Sequence, residues 1–155
     1  MPAIVEVHVG ARLDLRRAAP GLGGRRPLCA LIRRAARAAL ERTRAADARI
    51  SVTLLDDDAI EDLHRRYLGK AGPTDVLSFA LHEEGESPIG DVYVGLEQAK
   101  RQADALRVPM PEELARLTIH GTLHVLGWDH PGGAGRARSR MWRLQEEILW
   151  GMNEK

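Results

Sequence analysis

Apolar positions along the chain follow two periods. Val5, Val7 and Val9 alternate with Glu6 and His8, and a period of two marks a strand with one buried face. Residues 49–55, 75–81 and 89–96 read as three further strands. The polar turn HEEGESP separates the last two and predicts a hairpin. Helical spacing governs the rest. After a Gly- and Pro-rich loop at 18–27, a helix is predicted over 28–46, with Leu28, Leu31, Ile32, Ala35, Ala39 and Leu40 on one face. Asp56 or Asp57 caps the next helix, which reaches Leu68 and stops at Gly69. Further helices are expected over 97–106, from Pro111 to about Leu126, and over 136–149 after the turn HPGGAG.

Strands and helices are interspersed without a strict βαβ rhythm. This predicts an α+β fold, a small mixed sheet of about four strands packed with helices. No repeat or linker is visible, and 155 residues suit a single domain over 1–155. No apolar run is long enough to span a bilayer, and the N-terminus lacks a charged start followed by an apolar stretch. The expectation is a cytoplasmic protein with no membrane partner. Cys29 is the only cysteine, so no internal disulfide forms and thiolates cannot hold a metal.

The net charge of +1 hides an asymmetry. Residues 1–49 hold eleven arginines against Glu6, Asp14, Glu41 and Asp47, a net +7, and the remainder carries −6. Two readings stay open: contact with a polyanion such as RNA, or a solvated arginine face on the 28–46 helix.

The sharpest chemical signal is HGTLHVLGWDH, residues 120–130. His120 and His124 lie one helical turn apart and project from one face. Gly127 breaks the helix and lets the chain turn back, so His130 can meet them. Three neutral imidazoles converging on a point form the protein half of a catalytic zinc site, with a fourth position open for water. One Zn2+ ion is the expected cofactor. The spacing H-x-x-x-H-x-x-G-x-x-H is shared with zinc proteases, in which a Glu beside the first histidine is the base. Here that place is Gly121, and Thr122 cannot replace a base. The peptidase's proton acceptor is missing.

Two carboxylates are candidates for further catalytic roles. Asp129 is the nearest carboxylate: it can accept an N–H from a ligand histidine, act as a base, or cap the turn. Asp75 opens a strand in TDVLSF, where it either presents its carboxylate at a sheet end or only closes the preceding turn. Asp75 or Asp91 can also serve as a fourth zinc ligand.

YLGKAGPTDVLSFAL, IGDVYVGLEQAKRQA, ELARLTIHGTLHVLGWDH and MWRLQEEIL occur in that order over roughly residues 50–150. Together they resemble the YbeY endoribonucleases, bacterial rRNA maturation factors. The resemblance implies a cytoplasmic, zinc-dependent enzyme cutting single-stranded RNA, with His120, His124 and His130 on the metal. It implies a role in 16S rRNA 3′-end maturation and ribosome quality control, with the small ribosomal subunit or its assembly factors as partners. It implies an α+β fold with the zinc helix beside a small mixed sheet. Gly121 is then the family's own residue. The chain departs from the pattern at Leu68, where many relatives carry an arginine implicated in activity, and at His64, where an Asn is frequent; Arg66, beside Arg65, is the candidate to supply a phosphate contact from another angle. Two alternatives remain: a ribosome-associated RNA-binding factor with a structural zinc, and a zinc hydrolase of another substrate. The fourth ligand separates them, since water there means catalysis and a protein ligand means structure.

Overall fold

A computed structural model describes residues 2–130, 135 and 139–153. Four strands, β1 (Ile4–Val9), β2 (Arg49–Leu55), β3 (Val76–Ala80) and β4 (Ile89–Gly95), form one sheet in the order β1-β2-β4-β3. β1, β2 and β4 run parallel, and β3 pairs antiparallel with β4, as the hairpin turn predicted. The helices among the described residues are α1 (Leu15–Ala18), α2 (Arg25–Arg42), α3 (Asp57–Leu68), α4 (Leu96–Leu106), α5 (Met110–Val125) and α6 (Arg140–Asn153). The α+β class and the mixed four-stranded sheet are those read from the sequence.

Register sets the two faces of the sheet. Val7, Val52, Val92 and Ser78 align across all four strands and share one face. That face is apolar: Val5, Ile50, Val52, Leu54, Val92 and Val94 are buried against Leu28, Ile32 and Leu40 of α2 and Leu114 and Leu117 of α5. Glu6, Ser51, Asp91 and Phe79 align on the other face. There Tyr67 of α3 meets Phe79 edge-on, with ring centroids 5.4 Å apart.

A second core lies behind the first. Ala35 and Ala39 of α2, Ile119 and Leu123 of α5, and Met141, Leu144 and Ile148 of α6 pack together. The helix α5 therefore sits between the sheet and two other helices. Eleven of its sixteen residues are buried, so whatever it carries is held rigidly.

Several boundaries differ from the sequence expectation. The 28–46 helix is displaced to Arg25–Arg42. Pro27 fits its first turn, where backbone N–H groups have no intrahelical partner. Its end is a left-handed cap built on arginine instead of glycine: Arg44 takes φ 60°, and Ala45 N–H reaches back to Leu40 O at 2.9 Å. The apolar Ala45 and Ala46 extended the predicted pattern past that stop. The single-turn α1 was not foreseen, and the Asp14 side chain caps it. β3 begins at Val76 and ends at Ala80, inside the predicted 75–81, and Leu96 opens α4 instead of closing β4. The predicted helix starts at Glu97 and Pro111 each move one residue earlier, to Leu96 and Met110. The last helix continues beyond Leu149 to Asn153, with Met152 packed against the second core. The expected helix start at Arg136 and most of the HPGGAG turn lie outside the described residues.

Candidate metal centre

The chain brings His120, His124 and His130 together. Their ligating nitrogens lie within 4.8 Å of one another. The Nε2 atoms of His120 and His124 are 3.1 Å apart, and the His130 ring centroid lies 5.0 and 5.1 Å from the other two. Among the described residues no carboxylate or cysteine joins this group.

Local sequence explains how the third histidine arrives. At the end of α5, Gly127 takes φ +98°, a conformation that strains any residue with a Cβ. Gly127 N–H bonds to His124 O, and Trp128 N–H reaches back to Leu123 O, both at 3.0 Å. This reversal turns the Trp128 carbonyl onto the helix end, where it faces His124 Nδ1 at 3.0 Å. Asp129 Oδ1 accepts the His130 backbone N–H at 2.8 Å and shapes the next step of the turn. Of the three roles open to Asp129, this contact is the turn-capping one.

The outer nitrogens decide which way the rings face. A carbonyl only accepts, so His124 Nδ1 carries its proton toward Trp128 O. His120 is buried, with Nδ1 2.6 Å from Oε1 of Gln145, which is itself 1 % exposed. In both rings Nε2 is left with its lone pair toward the shared point. Neutral imidazole nitrogens so arranged fit a divalent transition metal such as zinc. Gln145 escaped the sequence reading, though a signal was present. It is a polar residue among Met141, Leu144 and Ile148 on the buried stripe of α6, and buried polar residues usually serve a partner.

A charged network backs this contact. Gln145 Nε2 donates to Glu146 Oε2 at 3.1 Å. Arg116 donates to Glu146 at 3.1 Å and to Glu113 at 2.8 Å. Burial works against the Arg116 charge, but hydrogen bonds to Glu146 and Glu113 outweigh it and raise its pKa further.

Gly121 faces away from the histidines. A Cβ there would lie 2.5 Å from Val92 Cγ1 and 3.0 Å from Val76 Cγ2, while Ser78 Oγ donates to the Gly121 carbonyl. Glycine lets α5 press onto the sheet. The place that holds a peptidase's base is filled here by β3 and β4.

The other candidates lie apart from the cluster. Asp75 Oδ1 accepts from Val76 N–H at 2.8 Å, just ahead of β3. Asp91 sits on the sheet face opposite α5, aligned with Phe79 and Ser51. Arg66 is on the outer surface of α3, 3.3 Å from Asp62, and Leu68 is 51 % exposed at the end of that helix. Of the remaining histidines, His64 and His82 bond to the Gly72 and Ile89 carbonyls and His8 pairs with Glu6.

Fold and centre together define a class: an α+β protein whose buried helix presents a cluster of three histidines able to hold a metal ion beside a small mixed sheet. The chain belongs to the endoribonuclease YbeY family, whose model matches residues 25–153. Endoribonuclease YbeY of Persephonella marina is 40% identical over 132 residues, covering 83% of this chain and 86% of that one. That of Symbiobacterium thermophilum is 44% identical over 134 residues, covering 79% and 85%. The solution structure of TM1509 from Thermotoga maritima shares the fold, with a TM-score of 0.62 at 24% identity, covering 97% and 92%. Endoribonucleases hydrolyse phosphodiester bonds within RNA. The family resemblance read from PTDVLSF and HGTLHVLGWDH holds over most of the chain.

Proposed function

We propose that this chain is a zinc-dependent endoribonuclease specific for single-stranded RNA, working as one domain over its whole length. One observation carries the reading beyond family membership. The centre gathers three histidine nitrogen donors and no fourth protein ligand among the described residues. Three protein ligands with an open position are the mark of a catalytic zinc site, whereas structural sites close with four. Gly121, pressed on the sheet, counts against the peptidase alternative.

Zinc held by His120, His124 and His130 would polarise water or a phosphoryl oxygen at the scissile bond. The protein's part is orientation. The Trp128 carbonyl and Gln145 aim two of the rings, and Asp129 sets the turn that delivers the third. Arg65 and Arg66 are the candidates for phosphate contact, with exposed Tyr67 of α3, edge-on to Phe79, as a surface for a base. Asp129 remains the candidate proton acceptor, and Asp75 a further candidate for a catalytic role. Family likeness supports a cytoplasmic setting, 16S rRNA 3′-end maturation and ribosome quality control as the process, and the small ribosomal subunit or its assembly factors as partners. No helix among the described residues is long and apolar enough to cross a membrane.

The test incubates zinc-loaded protein and a His124→Ala variant with single-stranded RNA. Wild type should cleave and the variant should not. Equal cleavage by both would assign the activity to a contaminant. The chemistry of the ends separates two routes, because a 2′,3′-cyclic phosphate means the RNA's own 2′-OH attacked first.

A further inference from the structure

We propose that Glu146, held by Arg116, is a positioning residue that locks the tautomer of His120 through the Gln145 amide. The proposal rests on the reading of His120 as a metal ligand and adds what keeps its lone pair available. An amide has an accepting end and a donating end, and its orientation is set by its partners. Glu146 is a carboxylate and only accepts, so the NH2 of Gln145 must face it. The Gln145 oxygen is thereby turned to His120, 2.6 Å away. His120 Nδ1 must then carry the proton, and Nε2 keeps its lone pair toward His124 and His130. Arg116 donates to Glu146 from Nε and Nη2 while Glu113 holds Nη1, so the carboxylate is fixed from behind. The lock is built inside the protein: Gln145 is 1 % exposed, and the Arg116 side chain is 13 % exposed.

The chain of donors and acceptors makes a near-isosteric change act at a distance. In Glu146→Gln the new amide's oxygen belongs at the Oε1 position, which takes both Nε and Nη2 of Arg116, because an NH2 there would face two donors of the cation. The new NH2 then faces Gln145, which must turn its oxygen outward and its NH2 to His120. His120 Nδ1 becomes an acceptor, and the proton moves to Nε2, where it blocks the metal. Replacing Gln145 as well, by Glu, removes the ambiguity: a carboxylate accepts from both neighbours and restores Nδ1–H.

The experiment records long-range 1H–15N spectra of the imidazoles in metal-free protein, at a pH where they are neutral, and measures zinc affinity by competition with a chelating dye. His120 should be Nδ1–H in wild type and Nε2–H in E146Q. Zinc affinity should fall about 10–100-fold in E146Q, the usual scale for an outer partner of a ligand histidine. The Q145E/E146Q double variant should recover both. If E146Q disturbs the fold, Glu146→Ala should give a mixture of tautomers. An unchanged Nδ1–H tautomer in these variants overturns the lock. If the variants switch tautomer as described but the wild-type protein takes up no zinc, the metal reading is overturned and the lock stands.

Discussion

Helices α5 and α3 both carry candidate site residues, and they hold them in opposite ways. On α5 the histidine His120 is buried, its outer nitrogen is engaged, and the helix is enclosed by the sheet, α2 and α6. On α3 only Ile60 is buried. Arg65 and Arg66 lie 60% and 66% exposed and pair with Asp62 on their own helix. Exposed pairs of this kind contribute about 0–1 kcal/mol and exchange readily for other anions. The N-terminal end of α3 is nevertheless tied down. Asp56 caps it through Ala59 N–H, and Arg101 of α4 grips Asp57 with two hydrogen bonds of 2.8 and 2.9 Å. Its last turn is fixed by Tyr67 on Phe79. Metal ligands must converge to within a fraction of an ångström, and a buried helix with fixed partners, as α5 is, suits the proposed metal role. A phosphate backbone tolerates approximate, mobile cations, so its contacts can ride on a helix surface.

Four changes would break or sharpen this contrast, the largest first. Chelation of the metal should abolish RNA cleavage. It should also lower the melting temperature, because a ligand at a hundred times its dissociation constant adds about 2.7 kcal/mol. A calorimetric scan with and without chelator checks this, and an unmoved transition would mean that the centre is not metal-loaded. Gly121→Ala should destabilise by about 1–3 kcal/mol through overpacking against Val92. For a chain of this size that is roughly 2–4 °C of melting temperature per kcal/mol. Gly127→Ala should cost about 1 kcal/mol or more, since φ +98° excludes a relaxed alanine. It should also weaken zinc binding by moving the Trp128 carbonyl off His124, and retained zinc affinity would remove that carbonyl from the account. Arg66→Ala should leave stability within about 0.5 kcal/mol. Its effect belongs in RNA binding, where the salt dependence should flatten by about one counterion. If affinity and salt slope both stay put, α3 is not a phosphate-contacting surface.

The parts of the molecule that follow local rules were legible in the sequence. The alternation of Val5, Val7 and Val9 gave β1 because its sheet has one buried face, and Asp56 and Gly69 bracketed α3 by cap chemistry. His120, His124 and His130 were legible because helical spacing and one glycine suffice to bring them together. The supporting network was not. Arg116 and Glu146 are thirty residues apart, and only the packing of α6 on α5 makes them partners. The end of α2 was missed because Arg44 occupies a left-handed position where glycine is the usual sign. The sequence marked Gly121 as a missing base and as the residue the family pattern carries there, without a packing role. That it provides clearance became visible once Val92 and Val76 were placed beneath it.

That clearance also restricts where this ligand set can go by mutation. A protease of similar spacing differs on paper by one codon change, glycine to glutamate beside the first histidine. In this architecture the new side chain would be driven between α5 and the sheet, and the helix would be forced off its seat. Peptide chemistry is thus separated from this centre by packing and not by the metal ligands. A lineage could cross between the two only by first rebuilding the helix–sheet contact.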